Sequence, residues 1–89
     1  MSKELNVTVE NKLGLHARPA AMLVRKVMGS QSEVFLEKDG QKVSAKSIMG
    51  IMGFAAAKGT SLKITADGPD ADSVLNDLNQ LFKDKFGEE

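Results

Sequence analysis

The sequence predicts an α+β fold, an open-faced two-layer sandwich in the order β-α-β-β-α-β-α. Two observations predict it. The strand-like stretches alternate apolar and polar residues, so each strand buries one face, as in an antiparallel sheet covered on one side. The intervening segments carry single apolar stripes at helical spacing, which suits helices packed on that one face. With 89 residues there is material for one core, so residues 1–89 read as one domain.

The elements follow in order. Leu5, Val7 and Val9 alternate with Asn6, Thr8 and Glu10 as a half-buried strand. A helical pattern after "NKLG" places Ala20, Leu23, Val24, Val27 and Met28 on one face, with Arg25 and Lys26 turned away and Gly29 as its cap residue. "SEVFLEKDGQKVSA" reads as two short strands around the hairpin signal Asp39-Gly40. Ser47 is a helix N-cap for "KSIMGIMGFAA", and Lys58-Gly59 is a turn before a last strand with Leu62, Ile64 and Ala66 inward. "DGPDADSVLNDLNQLFKDKF" closes the fold as a helix with Val74, Leu75, Leu78, Leu81 and Phe82 on its inner side. Asp70 and Asp72 in its first turn and Lys83 and Lys85 in its last suit the helix dipole. The uncovered sheet face, with Thr8, Glu10 and Lys63, meets water.

Composition excludes several classes of function. Twelve basic residues balance twelve acidic ones, so the chain lacks the basic excess of a nucleic-acid binder, although one face could still be charged. It has no Trp or Tyr and four Phe, a poor supply of base-stacking platforms. There is no cysteine, and one histidine does not make a zinc site on its own, so no metal and no cofactor are expected. No apolar run approaches the roughly 20 residues of a membrane span, and "MSKELNVTV" has no apolar signal core. The expected setting is cytoplasmic, away from membranes.

The only histidine lies in "GLHARPAAM" at the start of the first helical pattern. Pro19 is favoured in a first helical turn and steers the preceding residue away from helical angles. His16 therefore sits at or just before the N-cap. The amides of Ala17 and Arg18 lack intrahelical acceptors there, and the positive end of the helix dipole favours an anion beside the imidazole. Arg18 can grip a phosphoryl group bidentately. Histidine titrates near neutrality, so neutral imidazole is available as a nucleophile. The set points to a phosphoryl-accepting histidine. The plainer alternative is a histidine cap with Arg-Pro as helix punctuation. Against it stands the lack of a second histidine, a cysteine or a Ser-His-Asp set, since a group carrier needs only one nucleophile.

The segment after Ser47 is apolar nearly all round. Ile51 and Phe54 are expected in the core, whereas Ile48, Met49 and Met52 exceed what one buried face needs and suit a partner-docking patch beside His16. Gly50-Ile51-Met52-Gly53 matches the GXXG string of KH domains only superficially, because Ile-Met suits a phosphate backbone poorly. Lys58-Gly59-Thr60 lacks the upstream glycine of a P-loop.

"GLHARPA" and "KSIMGIM", in that order within the β-α-β-β-α-β-α pattern, resemble the HPr family, the histidine-containing phosphocarriers of the bacterial phosphotransferase system. The likeness spans essentially the whole chain and implies a four-stranded antiparallel sheet of order 1-4-2-3 under three helices. It implies that phospho-enzyme I passes a phosphoryl group to Nδ1 of His16, which hands it to an enzyme IIA domain. Arg18 matches the family's active-site arginine and Pro19 the proline beside it. Ser47 matches the serine that an HPr kinase/phosphorylase modifies in some bacteria, with a transcriptional regulator as a further partner. Ile48, Met49 and Met52 match the apolar docking positions. Phosphate on Ser47 would add about −1.5 to −2 charges at the edge of that patch; equally, Ser47 can be a simple cap worth ~1 kcal/mol. Where many members read Ser-Leu after "KSIMGIM", this chain has Gly53-Phe54. "NKLGLHARPA" and "LFKDKFGEE" resemble the nitrogen-related branch, whereas "KSIMGIM" resembles the sugar branch. The expectation is a monomeric carrier rather than an enzyme, with a regulatory binding module as the alternative.

Overall fold

The computed structural model describes residues 2–54 and 56–88. Alternation becomes four strands, β1 (Ser2–Thr8), β2 (Glu33–Lys38), β3 (Gln41–Ser44) and β4 (Ser61–Asp67). They form one antiparallel sheet in the order β1-β4-β2-β3. Register runs straight across it. Leu5 faces Ile64, Ile64 faces Leu36, and Leu36 faces Val43, an apolar row on the covered side. One residue along, Asn6, Lys63, Glu37 and Lys42 form a polar row on the open side. Lys63 Nζ lies 3.7 Å from Glu4 and 3.6 Å from Glu37 there. Lys42 caps the Phe35 ring at 4.7 Å, which shields an aromatic on the wet face. A one-residue slip would exchange the two rows, so burial of one face sets the register.

The hairpin between β2 and β3 turns at Asp39 and Gly40, both with positive φ (50° and 83°), as the tight turn requires. The covered face carries α1 (Ala17–Met28), α2 (Ile48–Gly53) and α3 (Ala71–Lys83). Ala20, Leu23 and Val27 of α1, Ile51 of α2, and Val74, Leu75, Leu78 and Phe82 of α3 meet Val7, Val34, Leu36, Leu62, Ile64 and Ala66 in the core. The expected fold class and strand order are both present.

Three local expectations change, at Met28, Asp70 and Lys85, and a fourth, at Gly29, is met in a different geometry. Met28 is 63% exposed, because it continues the row of half-buried Val24 at the margin of the apolar stripe. Gly29 is the cap residue of α1 as expected, but with φ −81°: its amide donates to Lys26 O and the Ser30 amide to Val27 O, without the left-handed turn glycine usually supplies. Asp70 is the N-cap of α3 rather than part of its first turn, which holds only Asp72 of the two, and its carboxylate bonds the Gln31 amide at 2.9 Å and the Ser32 hydroxyl. Finally, α3 ends at Lys83, which leaves Lys85 outside the helix. Lys85, Phe86 and Gly87 take positive φ in a 3-10 turn (Lys85–Gly87), which drives the Phe86 ring onto Phe82 edge-on at 4.9 Å. A left-handed non-glycine residue costs about 1–2 kcal/mol. A buried phenylalanine is worth about 3 kcal/mol. The balance is close, so the remaining contacts of this turn matter.

Candidate functional site at the start of α1

The loop before α1 is stitched from within. Asn11 is fully buried; its Nδ2 donates to the Gly14 carbonyl at 2.6 Å, and the Gly14 amide returns a bond to Asn11 O at 3.1 Å. Gly14 has φ +70° and lies against the Ala56 backbone, where a Cβ would collide with the carbonyl. The next amide, Leu15, bonds that same carbonyl at 2.9 Å. These contacts deliver His16 to the N-cap of α1 in extended conformation (φ −80°, ψ −167°).

His16 makes no side-chain cap bond. Its carbonyl accepts the first helical bond from Ala20 at 3.0 Å. The amides of Ala17 and Arg18 precede the first intrahelical donor, and Pro19 has no amide to offer. The helix therefore begins with two open donors beside a partly exposed imidazole.

The turn after α3 brings Glu88 onto this end. Its carboxylate lies against His16 Nε2, with oxygens at 3.0 and 2.9 Å. Asn11 Nδ2 donates to one oxygen at 2.9 Å and Arg18 to the other at 3.1 Å. The same Arg18 nitrogen donates to the Phe86 carbonyl at 3.2 Å. Bonding to His16 first, and to Asn11 and Arg18 after it, holds the Glu88 carboxyl below its ordinary pKa although burial pushes the other way. The buried Oδ1 of Asn11 has no hydrogen-bond partner among the described residues.

An apolar rim adjoins the imidazole. Leu13, Leu15, His16, Met52, Ala56 and Ala57 line one shallow depression. Met49 is 80% exposed, and Ile48 and Met52 are about as half-open as one another at 39% and 40%. Ile51 and Phe54 are buried, so α2 divides its apolar residues between core and surface as its sequence indicated. Ser47 caps α2, its hydroxyl accepting the Gly50 amide at 2.9 Å.

Thus His16, Ala17, Arg18, Pro19 and Met52 come together, with Ile48 and Met49 on the preceding turn of α2 and Ser47 at its head. Sequence reasoning missed Leu13, Asn11 and Glu88. Leu13 was readable as an apolar residue in a polar loop. Asn11 and Glu88 carry no local signal. Among the described residues no group of three or more His, Cys, Asp or Glu could hold a metal ion, and no helix is long and apolar enough to cross a membrane.

A family model described as the phosphotransferase-system HPr component phosphorylation site matches residues 3–84. A phosphocarrier protein HPr of Xylella fastidiosa is 44% identical over 86 residues, 97% of each chain. The crystal structure of an HPr from Thermoanaerobacter tengcongensis superposes with a TM-score of 0.93 at 45% identity, covering 98% of each chain. The catabolite-repression protein Crh of Bacillus subtilis, whose crystal structure is described as a domain-swapped dimer, is 46% identical with a TM-score of 0.75, covering 89% of this chain and 91% of that one.

Proposed function

The chain belongs to the HPr family of the phosphotransferase system, and on that premise we propose that it carries a phosphoryl group on His16 from phospho-enzyme I to enzyme IIA domains. The observation that supports this most is the imidazole set at an uncapped helix start, with Arg18 and two open amides around it. The Nδ1 lone pair attacks phosphorus as the donor's bond to phosphorus breaks, and the donor keeps that electron pair. Ala17 and Arg18 amides, the dipole and the Arg18 guanidinium stabilise the transferred oxygens. The N–P bond stays reactive enough to pass the group on. The chain is a carrier regenerated in each cycle rather than an enzyme, acts in the cytoplasm as a monomer, and docks its partners through Leu13, Ile48, Met49 and Met52.

A regulatory reading has its own support in the likeness to Crh and in Ser47 at the head of the docking helix. Phosphate on Ser47 would place charge beside Ile48 and Met49 and turn an acidic partner away. The nitrogen-related branch would use the same chemistry toward regulatory enzyme IIA proteins. His16 separates the readings, because a purely regulatory member has no use for it.

Incubation with phosphoenolpyruvate and enzyme I tests the carrier reading. The wild-type chain should gain one acid-labile phosphoryl group by intact mass, and His16→Ala should gain none while keeping its circular dichroism. Arg18→Lys should slow transfer more than it weakens docking. Labelling of His16→Ala at another residue would overturn the assignment.

A further inference from the structure

We infer that Glu88 is a positioning residue for His16: its carboxylate takes the Nε2 proton's hydrogen bond, leaving Nδ1 as the lone pair that meets phosphorus. The inference rests on the carrier reading above.

Both carboxylate oxygens lie within 3.0 Å of Nε2. An ionised carboxylate only accepts hydrogen bonds, so the ring nitrogen facing it must be the one that carries hydrogen. In a neutral imidazole the proton position on one nitrogen decides the role of the other. Nε2–H therefore makes Nδ1 basic. The N-cap geometry supplies the second half of the argument, because His16 makes no cap bond that would occupy its ring at the helix end.

The carboxylate is itself held in place. Asn11 Nδ2 and Arg18 each donate to one of its oxygens, and Phe86, fully buried, anchors the turn that presents it. Asn11 also bonds Gly14 O, so one buried amide ties the loop before His16 to the residue that orients His16. Other positively charged groups do not bond this carboxylate among the described residues; the ion pairs it makes are with His16 and Arg18.

The charge balance of the transfer gives the contact a further role. As the N–P bond forms at Nδ1, the ring retains its Nε2 proton and becomes an N-phosphoryl imidazolium. The donor leaves with the electron pair of its broken bond. Positive charge thus develops on the ring while a carboxylate already faces Nε2, with no rearrangement needed at that moment. The same relation lets an aspartate orient and support a histidine in serine hydrolases.

NMR of nitrogen-labelled His16 in the full chain, together with phosphoryl transfer rates, tests this. In the wild type the neutral ring should show a proton-bearing Nε2 and a bare Nδ1. Glu88→Ala should bring the two nitrogen shifts toward each other as the second tautomer fills, and slow acceptance on the order of tenfold, as loss of a histidine's orienting partner does elsewhere. Glu88→Gln keeps an acceptor oxygen, so it should preserve the nitrogen pattern and recover part of the rate. A wild-type ring protonated at Nδ1, or Glu88→Ala with unaltered nitrogen shifts and rate, overturns the role of Glu88 alone. A wild-type chain that takes no phosphoryl group on His16 overturns the carrier reading, and the role of Glu88 in transfer with it.

Discussion

At the start of α2 the third helical residue is Gly50; at the start of α1 it is Pro19. That one position separates two ends that otherwise match. Each has an extended N-cap residue and no acidic residue in its first turn. At α2 the Gly50 amide goes to the Ser47 hydroxyl, and the end is closed by its own cap. At α1 the corresponding amide is missing, His16 does not cap, and the carboxylate that reaches the end comes from Glu88, 72 residues away in sequence. A self-capped end is finished. An end without a cap keeps its donors for an anion, while the carboxylate beside it bonds the imidazole and not those donors.

The largest expected effect tests how that distant carboxylate is held. Phe86→Ala should cost about 3 kcal/mol or more in urea denaturation, because it empties a fully buried site against Phe82. It should also detach Glu88 from His16. A loss below 1 kcal/mol, roughly the scale of one helix cap, would mean that the turn over the site is not anchored by this ring.

Next comes the closed end. Ser47→Ala should cost ~1 kcal/mol through the lost cap while leaving phosphoryl acceptance at His16 unchanged. The converse substitution sharpens the contrast. His16→Ser should abolish acceptance and gain less than the ~1 kcal/mol of a good cap, since Pro19 removes the third helical amide and leaves the hydroxyl only that of Arg18. If His16→Ser stabilised the chain as much as Ser47→Ala destabilised it, the two ends would be equivalent and the comparison would fail.

The smallest effect concerns a third helix start. Asp70 heads α3 yet bonds Ser32 and Gln31, and the Ser32 hydroxyl, then the Gln31 amide, hold its carboxyl below the usual range. The charged form is therefore favoured in the folded chain. Its contribution is complete above the unfolded carboxylate value, near pH 4, and is lost as pH falls through the lower folded value. The stability difference between wild type and Asp70→Asn should shrink on acidification through that window. A difference independent of pH would contradict the pairing.

Much of this was legible in local pattern. Alternation at Leu62, Ile64 and Ala66, the Asp39-Gly40 turn and the Ser47 cap are each determined by neighbours in sequence, so they could be read there. Strand order was not readable from pattern; only the family resemblance implied it. Half of the site was readable, because His16, Arg18 and Pro19 lie within one helical turn. Glu88 was not, because its place depends on α3 stopping at Lys83 and on a left-handed turn that buries Phe86. Such a turn is chosen by packing, not by the propensity of Lys-Phe. Met28 failed for the reverse reason: periodicity located a stripe but not its margin.

The central claim is that the open end of α1 carries a phosphoryl group on one defined nitrogen of His16. Nitrogen–phosphorus coupling in the NMR spectrum of the phosphorylated wild-type chain tests it most directly. The account predicts phosphorus bonded to Nδ1 with the proton kept at Nε2; phosphorus on Nε2, or on any residue other than His16, would contradict it.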